Sequence, residues 1–239
     1  MSAFQGFARD RSSRWTPPPS DCWGASWSGG VLYHEAVIPA ADRTARQSAL
    51  LVVDVQNDFC PGGSLAVTGG DRVARSLNPY IEDALARGMP IYASRDWHPA
   101  VTNHFRIYGG EWPVHCVQDT DGARFHPDLR LPPTATIVTK GEHQDEADYS
   151  AFDGHTPDGT PLLADLRSKG ITHVYIGGLT TDYCVRYSVR DGLAAGLKVT
   201  VLEDAIAGVN VHPGDADQAV AEMRERGAQV TALSGLLAS

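Results

Sequence analysis

The chain contains little cysteine, with four residues in 239, and no two of them lie close together in the sequence. Disulfide frameworks and zinc fingers are recognised by closely spaced cysteines, so neither is expected. The start of the chain also lacks the continuous apolar segment of a secretory signal. We therefore expect reduced thiols and a cytoplasmic location.

Long apolar runs and basic clusters are absent as well. No stretch approaches the roughly 20 apolar residues of a membrane helix. The formal net charge is -9, from 29 acidic and 20 basic residues, and the basic residues form no cluster. Because nucleic acids and anionic membranes attract positive patches, neither is an expected partner, whereas a small neutral or cationic molecule is compatible with this charge.

The chain lacks an internal linker and a repeat, but its first part differs in composition from the rest. Residues 1–47 are rich in Arg and Ser at first, then contain three consecutive prolines and scattered Trp and Gly. We predict a poorly ordered N-terminal extension over 1–47 and one domain over 48–239. The alternative is that the extension packs on the domain or on a second subunit, and a homo-oligomer is compatible with the sequence.

After residue 47, short apolar runs alternate with amphipathic helical patterns, which is typical of a parallel sheet built from βαβ units. The predicted strands are 48–55, 90–94, 135–139, 171–177, 197–202 and 228–233. The predicted helices are 71–87, 162–169, 182–195 and 214–226. The sequence thus predicts an α/β fold of three layers, with a mainly parallel, Rossmann-like sheet of six strands and helices on both faces.

Four of these apolar runs lead at their carboxyl ends to residues with useful chemistry: Asp54, Asp96, Lys140 and Cys184. The carboxyl ends of parallel strands share one edge, where ligands bind. Cys184 is predicted in the first turn of a helix, where the helix dipole and a cation such as Lys140 would lower its pKa. Taken singly, each residue has an ordinary alternative: a buried structural cysteine, a loop-capping aspartate or a lysine reaching solvent.

A group of potential metal ligands follows the second predicted strand. Asp96, His98, His104 and His115 lie within the loop-rich part of the chain that extends to residue 133. One carboxylate and three imidazoles suit zinc, iron or manganese. The group therefore predicts one divalent metal ion, and the alternative is that these side chains are simply exposed in a loop.

Several motifs occur in one order along the chain. They are Leu-Val-Val-Asp-Val-Gln-Asn-Asp-Phe-Cys-Pro-Gly-Gly-Ser-Leu-Ala-Val at 51–67, Asp-Trp-His-Pro at 96–99, Trp-Pro-Val-His-Cys-Val at 112–117, Lys-Gly at 140–141, Asp-Tyr-Ser-Ala-Phe at 148–152 and Gly-Gly-Leu-Thr-Thr-Asp-Tyr-Cys-Val at 177–185. In this combination the sequence resembles the nicotinamidase/pyrazinamidase branch of the isochorismatase-like hydrolases.

The resemblance implies a catalytic triad in which Cys184 is the nucleophile, Asp54 shuttles the proton and Lys140 favours the thiolate. It also implies an oxyanion hole formed by the backbone N–H groups of Thr180 and Cys184, after a cis peptide bond between Leu179 and Thr180. The family often has Ala in place of Thr180 and His in place of Tyr183. Both differences leave the backbone donors in place.

The resemblance further implies a metal bound by Asp96, His98 and His115, with His104 as an added ligand in some members. Residues that would pack on the substrate ring are Phe59, Leu65, Trp112 and Tyr149. The implied reaction is hydrolysis of nicotinamide, and of pyrazinamide, through a cysteine thioester in NAD salvage. Alternatives are a metal-independent amidohydrolase of the ureidoacrylate or carbamoylsarcosine type and a non-catalytic metal-binding scaffold.

Overall fold

The computed structural model describes residues 45, 47–145 and 148–236. The predicted N-terminal extension over 1–47 lies outside these residues, apart from Ala45 and Gln47. Among the described helices, none is long and apolar enough to span a membrane.

The described residues contain a six-stranded sheet in which every pair of neighbouring strands is parallel. Its strands are β1 (Ser48–Val53), β2 (Ile91–Asp96), β3 (Thr136–Lys140), β4 (His173–Leu179), β5 (Lys198–Ala207) and β6 (Gln229–Thr231). Their order across the sheet is β3-β2-β1-β4-β5-β6. The predicted α/β fold is therefore confirmed, with β1 in the interior of the sheet.

Helices cover both faces of this sheet. The α-helices are α1 (Gly70–Ala86), α2 (Leu162–Ser168), α3 (Arg186–Ala194), α4 (Asp215–Glu225) and the short α5 (Leu233–Leu236). Leu50 and Val52 of β1 belong to the core that includes α1. The alternate residues of β1 belong to a second core with apolar side chains of α2, α3 and α4. All six positions of β1 are buried, as expected for a parallel strand covered on both faces.

One predicted boundary is wrong in a way that affects the site. β5 continues to Ala207, whereas the apolar run predicted an end at Leu202. The exposed Glu203 and Asp204 interrupt the apolar run although their backbone remains in the strand. The longer strand brings Val209, which follows it, to the edge of the sheet where the predicted site residues lie.

Candidate active site

Four neighbouring strands bring the reactive residues to one edge of the sheet. Asp96 and Lys140 are the last residues of β2 and β3, and Asp54 directly follows β1. Thr180 follows β4 and begins the turn that contains Cys184. Because β3, β2, β1 and β4 are consecutive in the sheet, residues that are far apart in sequence become neighbours.

The turn after β4 differs from the predicted α-helical turn. Residues Thr181–Val185 form a π-helical segment, and α3 begins only at Arg186. The carbonyl oxygen of Thr180 accepts hydrogen bonds from the N–H groups of Tyr183 and Val185, at 3.1 and 3.0 Å. Such π turns often occur at functional sites, and this one places Cys184 beside the end of β4.

The backbone at the end of β4 has the features that the resemblance implies. The peptide bond between Leu179 and Thr180 is cis. The preceding Gly178 has φ +133°, and a Cβ atom there would lie 2.1 Å from the carbonyl oxygen of Val53. Glycine is therefore required where β4 passes β1 just before the turn.

Lys140 lies between two carboxylates and is fully enclosed. Its Nζ is 3.1 Å from Asp54 Oδ2, donates a hydrogen bond to Asp96 Oδ1 and donates another to the carbonyl oxygen of Asp148 at 3.0 Å. The side chains of Lys140 and Asp54 are 0% exposed. The alternative of a lysine that extends to solvent is thus wrong, and the ammonium is balanced within the protein, as a buried charge must be.

This arrangement changes the ionisation of all three groups. Burial raises the pKa of Asp54, and Lys140 only partly offsets that effect. Burial would also raise the pKa of Asp96, but Lys140, His98 and His115 together outweigh burial and lower that pKa. Burial would lower the pKa of Lys140, yet the two carboxylates raise it well above its usual range. Lys140 is therefore a stable cation, and Asp54 is the carboxyl group suited to take up and release a proton.

Cys184 is next to this charge cluster. Its Sγ lies 3.8 Å from Lys140 Nζ and within 4.8 Å of a carboxylate oxygen of Asp54. Burial raises the pKa of Cys184 well above that of a free thiol; Lys140 opposes this shift, while Asp54 and Asp96 add to it. The expectation of a lowered pKa is therefore wrong, because burial and two carboxylates outweigh one ammonium. A base has to remove the thiol proton, and Asp54 is in place to do so.

Three histidines converge beside Asp96. Each of His98, His104 and His115 is at most 8% exposed, and one side-chain nitrogen of each lies within 4.8 Å of the others. His98 Nε2 is 3.8 Å and His115 Nε2 is 4.0 Å from Asp96 Oδ2. The alternative of loop histidines exposed to solvent is therefore wrong.

The hydrogen bonds of these histidines orient them as metal ligands. The Nδ1 atoms of His98 and His115 lie 3.1 and 2.8 Å from the carbonyl oxygens of Gly141 and Pro113. Because a carbonyl oxygen only accepts, each Nδ1 carries a proton, and Nε2 is the nitrogen that is available to a metal. His98 Nε2 is buried without a hydrogen-bond partner among the described residues. Burial lowers the pKa of His115, and it lowers the pKa of His104 to about 3, so the His104 ring is neutral.

These properties fit a bound divalent cation. Neutral imidazoles and a carboxylate are the donors that zinc, iron and manganese accept. A residue without a side chain is needed at position 141, because a Cβ atom on Gly141 would lie 2.6 Å from His98 Cε1. The glycine after Lys140 thus allows the imidazole to approach the backbone that orients it.

A cavity of about 320 Å³ connects the thiol with the histidines. Its lining residues are Phe59, Leu65, Asp96, His104, Trp112, His115, Asp148, Tyr149, Thr180, Tyr183, Cys184 and Val209. Trp112 Nε1 donates a hydrogen bond to the Tyr149 hydroxyl at 2.9 Å, and the ring of Tyr183 meets Trp112 edge-on at 4.7 Å. The cavity therefore offers aromatic walls with a thiol and potential metal ligands in the same space.

A sequence model of the isochorismatase domain matches residues 48–234, which is most of the chain. The chain belongs to the isochorismatase domain family. This result agrees with the fold and with the residues that meet at the edge of the sheet.

The relatives of this chain include proteins that are named nicotinamidase or pyrazinamidase. The nicotinamidase/pyrazinamidase of Mycobacterium tuberculosis is 43% identical over 180 residues, covering 74% of this chain and 92% of the relative. The nicotinamidase of Escherichia coli is 40% identical over 202 residues, with coverages of 78% and 95%. The pyrazinamidase of Pyrococcus horikoshii, solved in complex with zinc, has a TM-score of 0.72 and 42% identity, with coverages of 78% and 99%.

The structure places every predicted site residue of this isochorismatase-domain chain around one space. Lys140 contacts the other two residues of the predicted triad, the four potential metal ligands adjoin them, and the four residues predicted to pack on a ring line the cavity. The burial of the ligands and the triad is the property that the sequence did not reveal.

Other site residues were missed by the sequence reasoning. Ser94 donates its hydroxyl to Asp54 Oδ1 at 2.7 Å. Gln56 hydrogen-bonds both backbone polar groups of Asp96. Its Nε2 donates to the Asp96 carbonyl oxygen and its Oε1 accepts from the Asp96 N–H, each at 2.8 Å. A polar residue at an otherwise apolar strand position was the available signal for Ser94. Val209 was missed because the predicted end of β5 was too early.

Proposed function

We propose that this protein hydrolyses nicotinamide, and pyrazinamide as well, to the ring carboxylate and ammonia through a thioester on Cys184. One observation carries the proposal: the sulfur of Cys184 lies 3.8 Å from Lys140 and within 4.8 Å of Asp54, and Cys184 lines the same aromatic cavity as Asp96, His104 and His115. The identity of 40–43% to nicotinamidases over most of the chain supports the carboxamide substrate.

The first half of the reaction forms the thioester. Asp54 takes the proton of Cys184, and the sulfur attacks the carboxamide carbon. The negative oxygen that develops is stabilised by the N–H groups of Thr180 and Cys184, each typically worth about 3 kcal/mol. The C–N bond then breaks, and Asp54 returns the proton to the nitrogen, so that ammonia leaves.

The second half releases the acid. Asp54 removes a proton from water, the resulting hydroxide attacks the thioester carbon, and the C–S bond breaks. The sulfur regains a proton, and the ring carboxylate leaves. Lys140 remains protonated throughout because two carboxylates raise its pKa, and its charge lowers the cost of the transient thiolate.

The metal centre would hold and orient the substrate. We assign Asp96, His98, His104 and His115 as the ligands of one divalent ion, with zinc, iron and manganese as candidates. When bound, this ion supplies a Lewis-acid contact for the ring nitrogen of the substrate. Phe59, Leu65, Trp112 and Tyr149 would pack on the ring, which fixes the carboxamide next to Cys184.

The cellular setting is part of the proposal. The three described cysteines have free thiols, which fits a reducing cytoplasm. There the product nicotinate would enter NAD salvage. The net charge of -9 without a basic cluster supports a small molecule as the partner, with neither nucleic acid nor a membrane, and a homo-oligomer remains compatible with it.

The test of the nucleophile compares two buried cysteines. Cys184→Ala should abolish ammonia release from nicotinamide, whereas Cys60→Ala should retain it, because Cys60 is buried in the apolar core. Acid-quenched wild-type enzyme should carry a nicotinoyl group on the peptide that contains Cys184. Turnover that survives in Cys184→Ala would exclude the thioester route.

A further inference from the structure

The hydroxyl group of Thr180 has no hydrogen-bond partner within the described residues. Thr180 is 2% exposed, and its Oγ1 is buried. Buried hydroxyl groups are normally satisfied, so an unpaired one suggests that its partner is a molecule that the site binds. Thr180 also lines the cavity that contains Cys184.

The backbone holds this residue close to the sulfur. The N–H groups of the residues on either side of Cys184, Tyr183 and Val185, both donate to the carbonyl oxygen of Thr180. That oxygen is therefore already engaged, whereas Oγ1 is not. A substrate carbon within reach of Cys184 would lie close to the Thr180 side chain.

The other polar side chains around the thiol are charged. Asp54 Oδ1 accepts from Ser94, and Asp54 Oδ2 lies 3.1 Å from Lys140 Nζ but has no hydrogen-bond partner in the described part of the chain. The proposed reaction uses this carboxylate for the proton of Cys184. Asp96 is also bonded to Lys140, and Lys140 itself supplies only donors. A bound carboxamide would bring two N–H donors into this space. Thr180 Oγ1 can accept a hydrogen bond there and receives none from the described residues.

We propose that Thr180 Oγ1 accepts a hydrogen bond from the carboxamide N–H of the substrate, so that Thr180 selects carboxamides over carbonyl compounds without an N–H group. This proposal rests on the proposed function. The carbonyl oxygen of the substrate would face the backbone donors, which leaves the nitrogen end for the hydroxyl. The Thr180 hydroxyl thus contacts the leaving nitrogen of the substrate, whereas the backbone N–H of Thr180 contacts the carbonyl oxygen.

The experiment uses variants that differ only at this side chain. Thr180→Val keeps the shape and removes the hydroxyl, and Thr180→Ser keeps the hydroxyl and removes the methyl group. We expect Thr180→Val to lower kcat/KM for nicotinamide about tenfold, the size of one lost hydrogen bond, and Thr180→Ser to stay within about threefold of the wild type. The midpoint of thermal unfolding of unliganded Thr180→Val should not fall, because the removed hydroxyl has no hydrogen-bond partner among the residues that the structure describes.

A second probe separates the nitrogen from the oxygen of the substrate. Pyridine-3-carbaldehyde has the ring and the carbonyl group but no N–H, and its inhibition constant should be the same for Thr180→Val and wild type. Equal weakening of inhibition and turnover would mean that the hydroxyl serves the carbonyl oxygen, and would overturn the proposal. So would unchanged turnover of Thr180→Val, or a Thr180→Ser variant as slow as Thr180→Val.

These outcomes are distinct from failure of the proposed function. If wild-type protein releases no ammonia from nicotinamide, or the aldehyde does not inhibit it, the thiol mechanism fails irrespective of Thr180. If the wild type is active and the Thr180 variants behave alike, only the role of the hydroxyl fails.

Discussion

Two clusters of buried polar side chains meet at Asp96, and they differ in how their charges are balanced. In the first, the ammonium of Lys140 contacts the carboxylates of Asp54 and Asp96. In the second, His98 and His115 lie 3.8 and 4.0 Å from the other oxygen of Asp96, and His104 is close to both of these histidines. The first cluster contains its own cation, whereas the second consists of imidazoles and a carboxylate.

Burial has opposite consequences in the two clusters. Around Lys140 the charges compensate one another, so the proton positions are set by the protein itself. Among the histidines, burial lowers the pKa values of His104 and His115, and His98 Nε2 has no hydrogen-bond partner within the described ranges. A bound cation would satisfy these nitrogens, so the second cluster should depend on an external ion and the first should not.

The largest expected effect comes from removing the cation of the first cluster. Lys140→Met leaves two buried carboxylates without their counter-ion and should lower the free energy of unfolding by about 3–5 kcal/mol. Lys169→Met is the control, because Lys169 pairs with Asp165 and its side chain is 42% exposed. That variant should lose less than about 1 kcal/mol. Urea unfolding measures both, and equal losses would contradict the view that Lys140 balances the first cluster.

The free energy of unfolding should depend on a metal ion that binds to the second cluster. Adding zinc at 100 times its dissociation constant should stabilise chelator-treated wild-type protein by about 2.7 kcal/mol. His104→Ala should reduce this gain, because one of the converging ligands is lost. His173→Ala is the matched control, since His173 is also buried but hydrogen-bonds Thr200 instead. Thermal unfolding with and without zinc is the measurement, and the same gain in His104→Ala would remove His104 from the ligand set.

The smallest effect at neutral pH concerns the titration of a buried histidine outside both clusters. Burial lowers the pKa of His173 to about 4, whereas an unfolded histidine titrates near about 6.5. Between these values the unfolded state binds more protons, so this contribution to stability is complete above about pH 6.5 and is lost as the pH falls toward 4. His173→Gln should reduce the dependence of unfolding free energy on pH in that window by up to about 1.4 kcal/mol per pH unit.

Urea unfolding at several pH values compares His173→Gln with the wild type. A His173→Gln slope equal to that of the wild type would show that His173 is not held neutral by the fold.

Much of the fold could be predicted because its signals are local. Each strand of the sheet is a short apolar run, and α1 shows apolar residues at helical spacing before a terminating glycine. The prediction failed at β5 because Glu203 and Asp204 look like the end of a strand, whereas β5 resumes its pairing with β4 at Ile206 and Ala207 after a break in register. Strand pairing is a property of two segments, and one segment alone does not reveal it.

The composition of the candidate site was also predictable, because Asp54, Asp96 and Lys140 each end an apolar run. The roles of Ser94, Gln56 and the Thr180 hydroxyl were not, since each depends on which partner is within hydrogen-bond distance. Ser94 and Asp54 are 40 residues apart in the chain. Their contact exists only because β1 and β2 lie side by side.

By itself, the sequence determined the α/β class, the number of strands and the chemical groups that follow them, because these depend on residue type and spacing along the chain. The tertiary structure decided how those groups ionise. Cys184 has a raised pKa, although its position in the chain predicted a lowered one. Desolvation and the charges of distant residues set that direction, and both arise only when the strands have assembled.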